Sequence, residues 1–209
     1  MTVTVIYADP SDKFIYRNGV PSSYIMVGGG TLSTKANIAF GYCGAYQAGA
    51  TYYYMQSFFR FDTSVIGSDQ ISDVVLGLAG YSNNTTVATT FEVRAITWDG
   101  SEGGDTYQKP SDLTSLPLVA SITEADYSSD YMNFSETSEF KDAINGQGHT
   151  SIVCHFDGHA SSTPAVGSQY LRFKMTETLG TVSDPKITIT HSADSGPAPL
   201  AVVPAAVLL

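Results

Sequence analysis

The sequence predicts an all-β fold, a sandwich or jelly roll of about ten strands with one short helix. Three observations carry this. Helical periodicity is nearly absent. Short apolar, β-branched and aromatic runs recur along the whole chain. Clusters of Gly, Ser, Asn, Asp and Pro separate them, as turns would. Strands alternating with long helical segments, the mark of a βαβ fold, do not occur.

In chain order the predicted strands are VTVIYA, FIYR, SYIMVG, NIAFGY, YYYMQSFFRFD, DVVLGLAGY, TTFEVRAIT, TSIVCHF, QYLRFKM and KITITH. Successive strand residues point to opposite faces, so Phe59 and Phe61 oppose Phe58, Arg60 and Asp62. In DVVLGL, Val74, Leu76 and Leu78 share a face, and these residues with Phe59 and Phe61 are the expected core. The helix is expected over SETSEFKDAING. There Ser135 can cap, Glu136 and Glu139 favour the positive end of the dipole, and Gly146 can close the end. Phe140, Ala143 and Ile144 lie at helical spacing and would pack on the sandwich. The sandwich is expected over residues 1–191 as one domain, followed by an extended Pro/Ala-rich apolar arm over residues 192–209. That arm, SADSGPAPLAVVPAAVLL, is broken by Pro197, Pro199 and Pro204 and is too short to span a bilayer, which takes about 20 apolar residues. Leu200, Val202, Val203, Val207, Leu208 and Leu209 would be a liability in water, so they are expected to dock on a neighbouring subunit, with a flexible apolar terminus as the alternative.

Composition narrows the function. With 20 acidic against 10 basic residues the formal net charge is −10, and the basic residues are scattered. Neither nucleic acid nor an anionic membrane finds a basic face here. Charged residues make up only 14% of the 209, which suits a β-rich chain with polar loops or one that hides surface in an assembly. The start, MTVTVIYADP, lacks a basic region and a long apolar stretch, so no secretory signal is expected. The two cysteines, Cys43 and Cys154, lie in apolar runs and read as buried free thiols, with a single disulfide as the alternative.

Several stretches invite a chemical reading. TWDGSEGGDTYQKP holds the lone Trp98 with Asp99, Glu102 and Asp105, but the acids match neither a calcium-loop spacing nor a facing catalytic pair. In CHFDGHA, His155, Asp157 and His159 alternate as a zinc set would, yet the DG turn signal falls between the histidines. The expectation is loop-end histidines in water. Residues 27–31, VGGGT, lack the lysine of a phosphate loop and read as a turn. Tyr52, Tyr53 and Tyr54 offer at most one face as a sugar platform, because Tyr53 points away from the other two. No catalytic residue, metal or cofactor is expected, and the protein is not expected to be an enzyme.

Taken together, several motifs resemble the DNRLRE-type domain, a jelly-roll β-sandwich module. They are Ala8-Asp9 on the first strand, the Val27–Gly29 turn, and Ser57–Tyr81. The signature Trp98, Glu102, Thr106, Tyr107, Pro110 follows, then the short helix, Tyr170–Glu177 and Pro185–Thr190. Tyr107 stands where the resemblance expects a Trp, and GQGHTSIVCHF matches loosely. Such modules occur in secreted, cell-wall and carbohydrate-associated bacterial proteins and in virion proteins of tailed phages. The resemblance, with the apolar arm, implies an accessory virion protein. The expectation is a phage capsid decoration, or cement, protein assembled in the host cytoplasm, a homotrimer or other homo-oligomer bound to the major capsid protein or another virion protein. The alternative is a non-enzymatic carbohydrate-binding or host-attachment module, of a tail fibre or secreted, using Tyr52 to Tyr54 and Tyr107. In either setting Trp98 and Tyr107 are read as packing anchors of the sandwich, and Glu102 and Thr106 as tying the intervening loop by hydrogen bonds.

Overall fold

A computed structural model describes residues 1–19, 30–36, 39–100, 107–161, 165, 167–175 and 182–194. The described residues form 13 strands in one curled antiparallel sheet. They are β1 (Thr2–Tyr7), β2 (Lys13–Gly19), β3 (Thr31–Ala36), β4 (Phe40–Ala48), β5 (Thr51–Asp62), β6 (Gln70–Asn83) and β7 (Thr90–Ile96). Then come β8 (Leu118–Thr123), β9 (Tyr131–Asn133), β10 (Ser135–Glu136), β11 (His149–Phe156), β12 (Gln169–Lys174) and β13 (Lys186–Ser192). Their order is β1-β13-β6-β12-β4-β5-β11-β7-β8-β10, with β2 and β3 added beside β5 and β9 beside β6.

The curl lays one limb of the sheet over the other, and the period-2 pattern decides what lies between them. Val74, Leu76 and Leu78 of β6 and Ile187 and Ile189 of β13 meet Phe59 and Phe61 of β5, Phe91 and Val93 of β7, and Ile152 of β11 in one core. Burying each such side chain contributes roughly 1.5–3 kcal/mol. The all-β sandwich and the expected core face are therefore as the alternation implies. What alternation does not give is that β5 is covered on both sides. Phe58 points away from the main core into a second, smaller one with Ile15, Tyr107, Leu113 and Val153.

The helix is shorter than expected. Ser135 and Glu136 form β10, paired with Ser121 and Ala120 of β8, and α2 spans only Glu139–Ala143. The Glu136 carboxylate accepts the backbone N–H of Leu76 at 3.0 Å, a sheet-edge role that outweighs its place in a helical first turn. Phe140 and Ile144 still pack on the core. Among the described residues, two further short α-helices depart from the expectation. α1 (Pro110–Ser115) opens on Pro110, where a missing N–H costs nothing, and α3 (Asp157–Ala160) follows directly on β11.

Cys43 and Cys154 are free and fully buried, and their sulfurs lie 3.1 Å apart between β4 and β11. Burial, then the neighbouring thiol, pushes the Cys43 thiol well up, so it stays protonated and inert.

Candidate functional site

The described residues form an aromatic cleft of about 420 Å³. Cross-strand register builds it. In an antiparallel pair, opposed residues point to the same side. Tyr46 of β4 opposes Tyr53 of β5, and Met55 of β5 opposes Tyr16 of β2. Phe14 opposes Lys35 of β3, while Arg172 of β12 opposes Tyr42 of β4. Every second residue of five strands therefore faces one concave surface, with Tyr170 completing the rim. The intervening residues, Ile15, Cys43, Ala45 and Tyr54, are buried on the other side.

The rings are packed against one another. Tyr46 and Tyr53 stack with centroids 4.5 Å apart and planes 9° apart. Tyr42 lies 4.8 Å from Phe14 and 6.1 Å from Tyr170, and Tyr46 lies 5.6 Å from Tyr170. Such contacts hold half-exposed rings in place before any ligand arrives. Gly44, between Tyr42 and Tyr46 on β4, opposes Tyr170 and has φ +126°; a Cβ there would meet the Gln169 carbonyl oxygen at 2.0 Å. Only glycine permits β4 and β12 to approach this closely. Burial, then the neighbouring Tyr53 and Tyr170, raises the Tyr46 phenol, which therefore keeps its proton and can donate a hydrogen bond. Lys35 brings a charge to the lining, and neither Asp nor Glu is among the lining residues. Next to the cleft, the Arg172 guanidinium lies over Tyr81 at 4.5 Å, Tyr42 at 4.8 Å and Phe40 at 5.0 Å. This continues the aromatic surface beyond the cleft itself.

A second polar centre is sealed inside. The Gln56 side chain pairs with the backbone of residue 108. Its amide donates to the Gln108 carbonyl at 2.6 Å and its oxygen accepts the Gln108 N–H at 2.9 Å. That arrangement orients the amide, which also donates to Nδ1 of His159 at 3.2 Å. Nε2 of His159 then carries the ring proton and donates to the Tyr107 hydroxyl at 3.0 Å. His155 donates from Nδ1 to the Phe156 carbonyl at 2.9 Å, and its Nε2 faces Glu92 at 3.6 Å. Burial lowers both histidines, His155 to about 4 and His159 well below the ordinary value. Burial raises the Tyr107 phenol strongly. These groups are neutral and closed to solvent, so they hold structure and carry no accessible chemistry.

The histidines expected in loop-end water are thus corrected: both are completely buried, because the turn after β11 folds into α3 and back under the sheet. They do not form a zinc set, and among the described residues no three His, Cys, Asp or Glu side chains are placed to hold a metal ion. Of the sequence signature, Trp98 packs against Phe58 with the Lys13 ammonium 4.7 Å over its ring, and its carbonyl accepts from the Ser151 hydroxyl. Tyr107 lies in the same small core and Pro110 begins α1. Glu102, Asp105 and Thr106 lie outside the described residues, as do Val27–Gly29 and the arm residues Leu200, Val202, Val203, Val207, Leu208 and Leu209.

Of the tyrosines considered as a platform, only Tyr53 reaches the cleft. Tyr54 is in the main core, where its hydroxyl accepts the Ala165 N–H, and Tyr107 is 3% exposed. Sequence reasoning missed Phe14, Tyr16, Tyr42, Tyr46 and Tyr170. The available signal was tyrosine recurring at alternate positions within separate runs, which only strand pairing turns into a surface. Neither a protein-family model nor a curated protein sequence matches the chain.

Proposed function

We propose that the protein is a non-enzymatic carbohydrate-binding module whose tyrosine cleft takes up a sugar chain, as in host attachment or substrate anchoring. The observation that carries this reading is the register-fixed set of rings on one open concave face. Sugar rings present C–H-rich faces that stack on aromatic side chains, and hydroxyl edges that the tyrosine phenols can hydrogen-bond. Pre-packed rings lose little conformational freedom on binding. Glycoside hydrolysis asks for two facing carboxyls, and the cleft lining supplies none.

A panel of immobilised glycans and soluble polysaccharides tests this. Saturable binding is expected to at least one class, lost or weakened about tenfold or more by Tyr53→Ala and by Tyr46→Ala. Absence of binding across the panel, or binding indifferent to both changes, would overturn it. A second reading, a structural protein of a virion shell, draws on a different observation. Val3, Val5 and Tyr7 are exposed apolar residues of β1, and such a surface suits assembly. The C-terminal clamp of that reading falls on residues 195–209, outside the described residues.

A further inference from the structure

Charge is distributed unevenly about the cleft. The whole chain holds 20 acidic residues against 10 basic ones. The strands that build the cleft, β2, β3, β4, β5 and β12, reverse this balance. They carry Lys13, Arg17, Lys35, Arg60, Arg172 and Lys174 but one acid, Asp62, the last residue of β5. Lys13 and Arg17 alternate with Phe14 and Tyr16, so they face away from the cleft, over Trp98 and Tyr107. Arg60 is paired with Asp9. Lys35, Arg172 and Lys174 remain on the cleft side, opposite Phe14, Tyr42 and Phe40.

Register puts two of these cations at the ends of one cross-strand row. Arg172 opposes Tyr42 at one end, and Lys35 opposes Phe14 at the other. Ser57 of β5 lies between, opposing Phe14 and bonding the Tyr42 carbonyl, and the Phe14 and Tyr42 rings meet at 4.8 Å. The row crosses four strand spacings, about 19 Å in a flat sheet. Arg172 is held by rings. Stacking on Phe40, Tyr42 and Tyr81 occupies the faces of the guanidinium and leaves its in-plane N–H donors. Its Nε is buried without an acceptor, and among the described residues no Asp or Glu pairs with the guanidinium. A planar donor fork of this kind is matched by an oxyanion that accepts from two N–H groups at once. Acids beyond about 8 Å are screened at physiological salt, so the net charge of −10 does not keep such an anion from this row. We propose that the cleft takes an acidic sugar chain, with its rings on the tyrosines and its carboxylate or sulfate groups on Arg172 and Lys35. This rests on the carbohydrate reading and names the class of its ligand.

The full chain is titrated with polygalacturonate, alginate, hyaluronate, polysialic acid and a sulfated galactan. Each is set beside its esterified or desulfated counterpart, with polyglutamate as a charged chain without sugars. Saturable binding is expected to at least one acidic glycan, weakening as salt is raised. Removing the acid groups from that glycan should weaken binding about tenfold or more, and Arg172→Gln should do the same. Lys35→Gln should weaken it as well, and because Lys35 is exposed this change keeps the test open if Arg172→Gln unsettles the stacked rings. Lys141→Gln, the same change of charge on α2, should leave binding unaltered. Trp98 fluorescence checks the fold of each variant. Carboxylated and sulfated chains separate the two sources of the anion. Neutral or esterified glycans bound as tightly as the acidic ones would overturn this inference and leave the carbohydrate reading standing. So would acidic binding that ignores both Arg172→Gln and Lys35→Gln. Polyglutamate bound as tightly as any glycan would show a response to charge alone and overturn it too. No binding anywhere in the panel would overturn both readings.

Discussion

Replacing His155 by leucine should flatten the acid limb of the stability curve. The imidazole is buried beside Glu92 and Arg94 of β7 and His159 of α3, and its value falls from the ordinary 6.5 to about 4. Burial dominates; the Phe156 carbonyl and Glu92 pull back only part of the way. Because the folded value is depressed, the unfolded chain takes the proton first. The stabilisation is complete above the unfolded value and drains away as pH falls from 6.5 toward 4. At 1.36 kcal/mol per pKa unit, this one group removes about 2 kcal/mol between pH 7 and pH 5. His159 is shifted in the same direction and adds to the loss. Urea unfolding at the two pH values, followed through the single Trp98, measures it. Carboxylates titrate in both proteins and cancel in the comparison. The parent should lose about 2 kcal/mol more than His155→Leu over this interval. Equal losses in the two proteins would refute the claim that a buried neutral imidazole shapes the acid response.

Two further outcomes are expected. Gly44→Ala should lower stability by roughly 2–4 kcal/mol, since it combines a left-handed backbone with a Cβ driven into the Gln169 carbonyl; an unshifted thermal midpoint would mean that β4 and β12 part easily. Cys43 and Cys154 should ignore a thiol reagent in the native protein and both react in urea, because burial shields them and holds Cys43 protonated; rapid native labelling would show that the corner between β4 and β11 opens.

Much of the sandwich is legible in the sequence, because alternation is a local signal. Val74, Leu76 and Leu78 announce their buried face within one run, and Ile187 and Ile189 do the same. The helix start is ambiguous in the sequence because two local signals compete: Ser135 and Glu136 have the residue types of a helix start, yet β8 offers them a ladder. The burial of His155 and His159 is not legible for a different reason. DG is a turn signal, and a turn does occur, but whether a turn faces solvent depends on what packs over it, here Gln56, Tyr107 and α1. The cleft was the least legible feature. Tyr16, Tyr42, Tyr53 and Tyr170 come from four strands, and no property of one strand says which others lie beside it. Long-range pairing is a property of the whole sheet, and only in it does a set of scattered tyrosines become a surface.

The cleft's dependence on register has a consequence for how such a surface can change over time. Each ring occupies every second position of its strand, and the positions between them fill the core. Inserting or deleting one residue in β4 would turn Tyr42 and Tyr46 inward and bring Cys43 and Ala45 out. New ligand preferences are therefore reached by exchanging side chains at fixed lattice points, while length changes are confined to the loops between strands. Descendants of this chain should differ at Tyr16, Tyr46, Tyr53 and Tyr170 long before their strands differ in length.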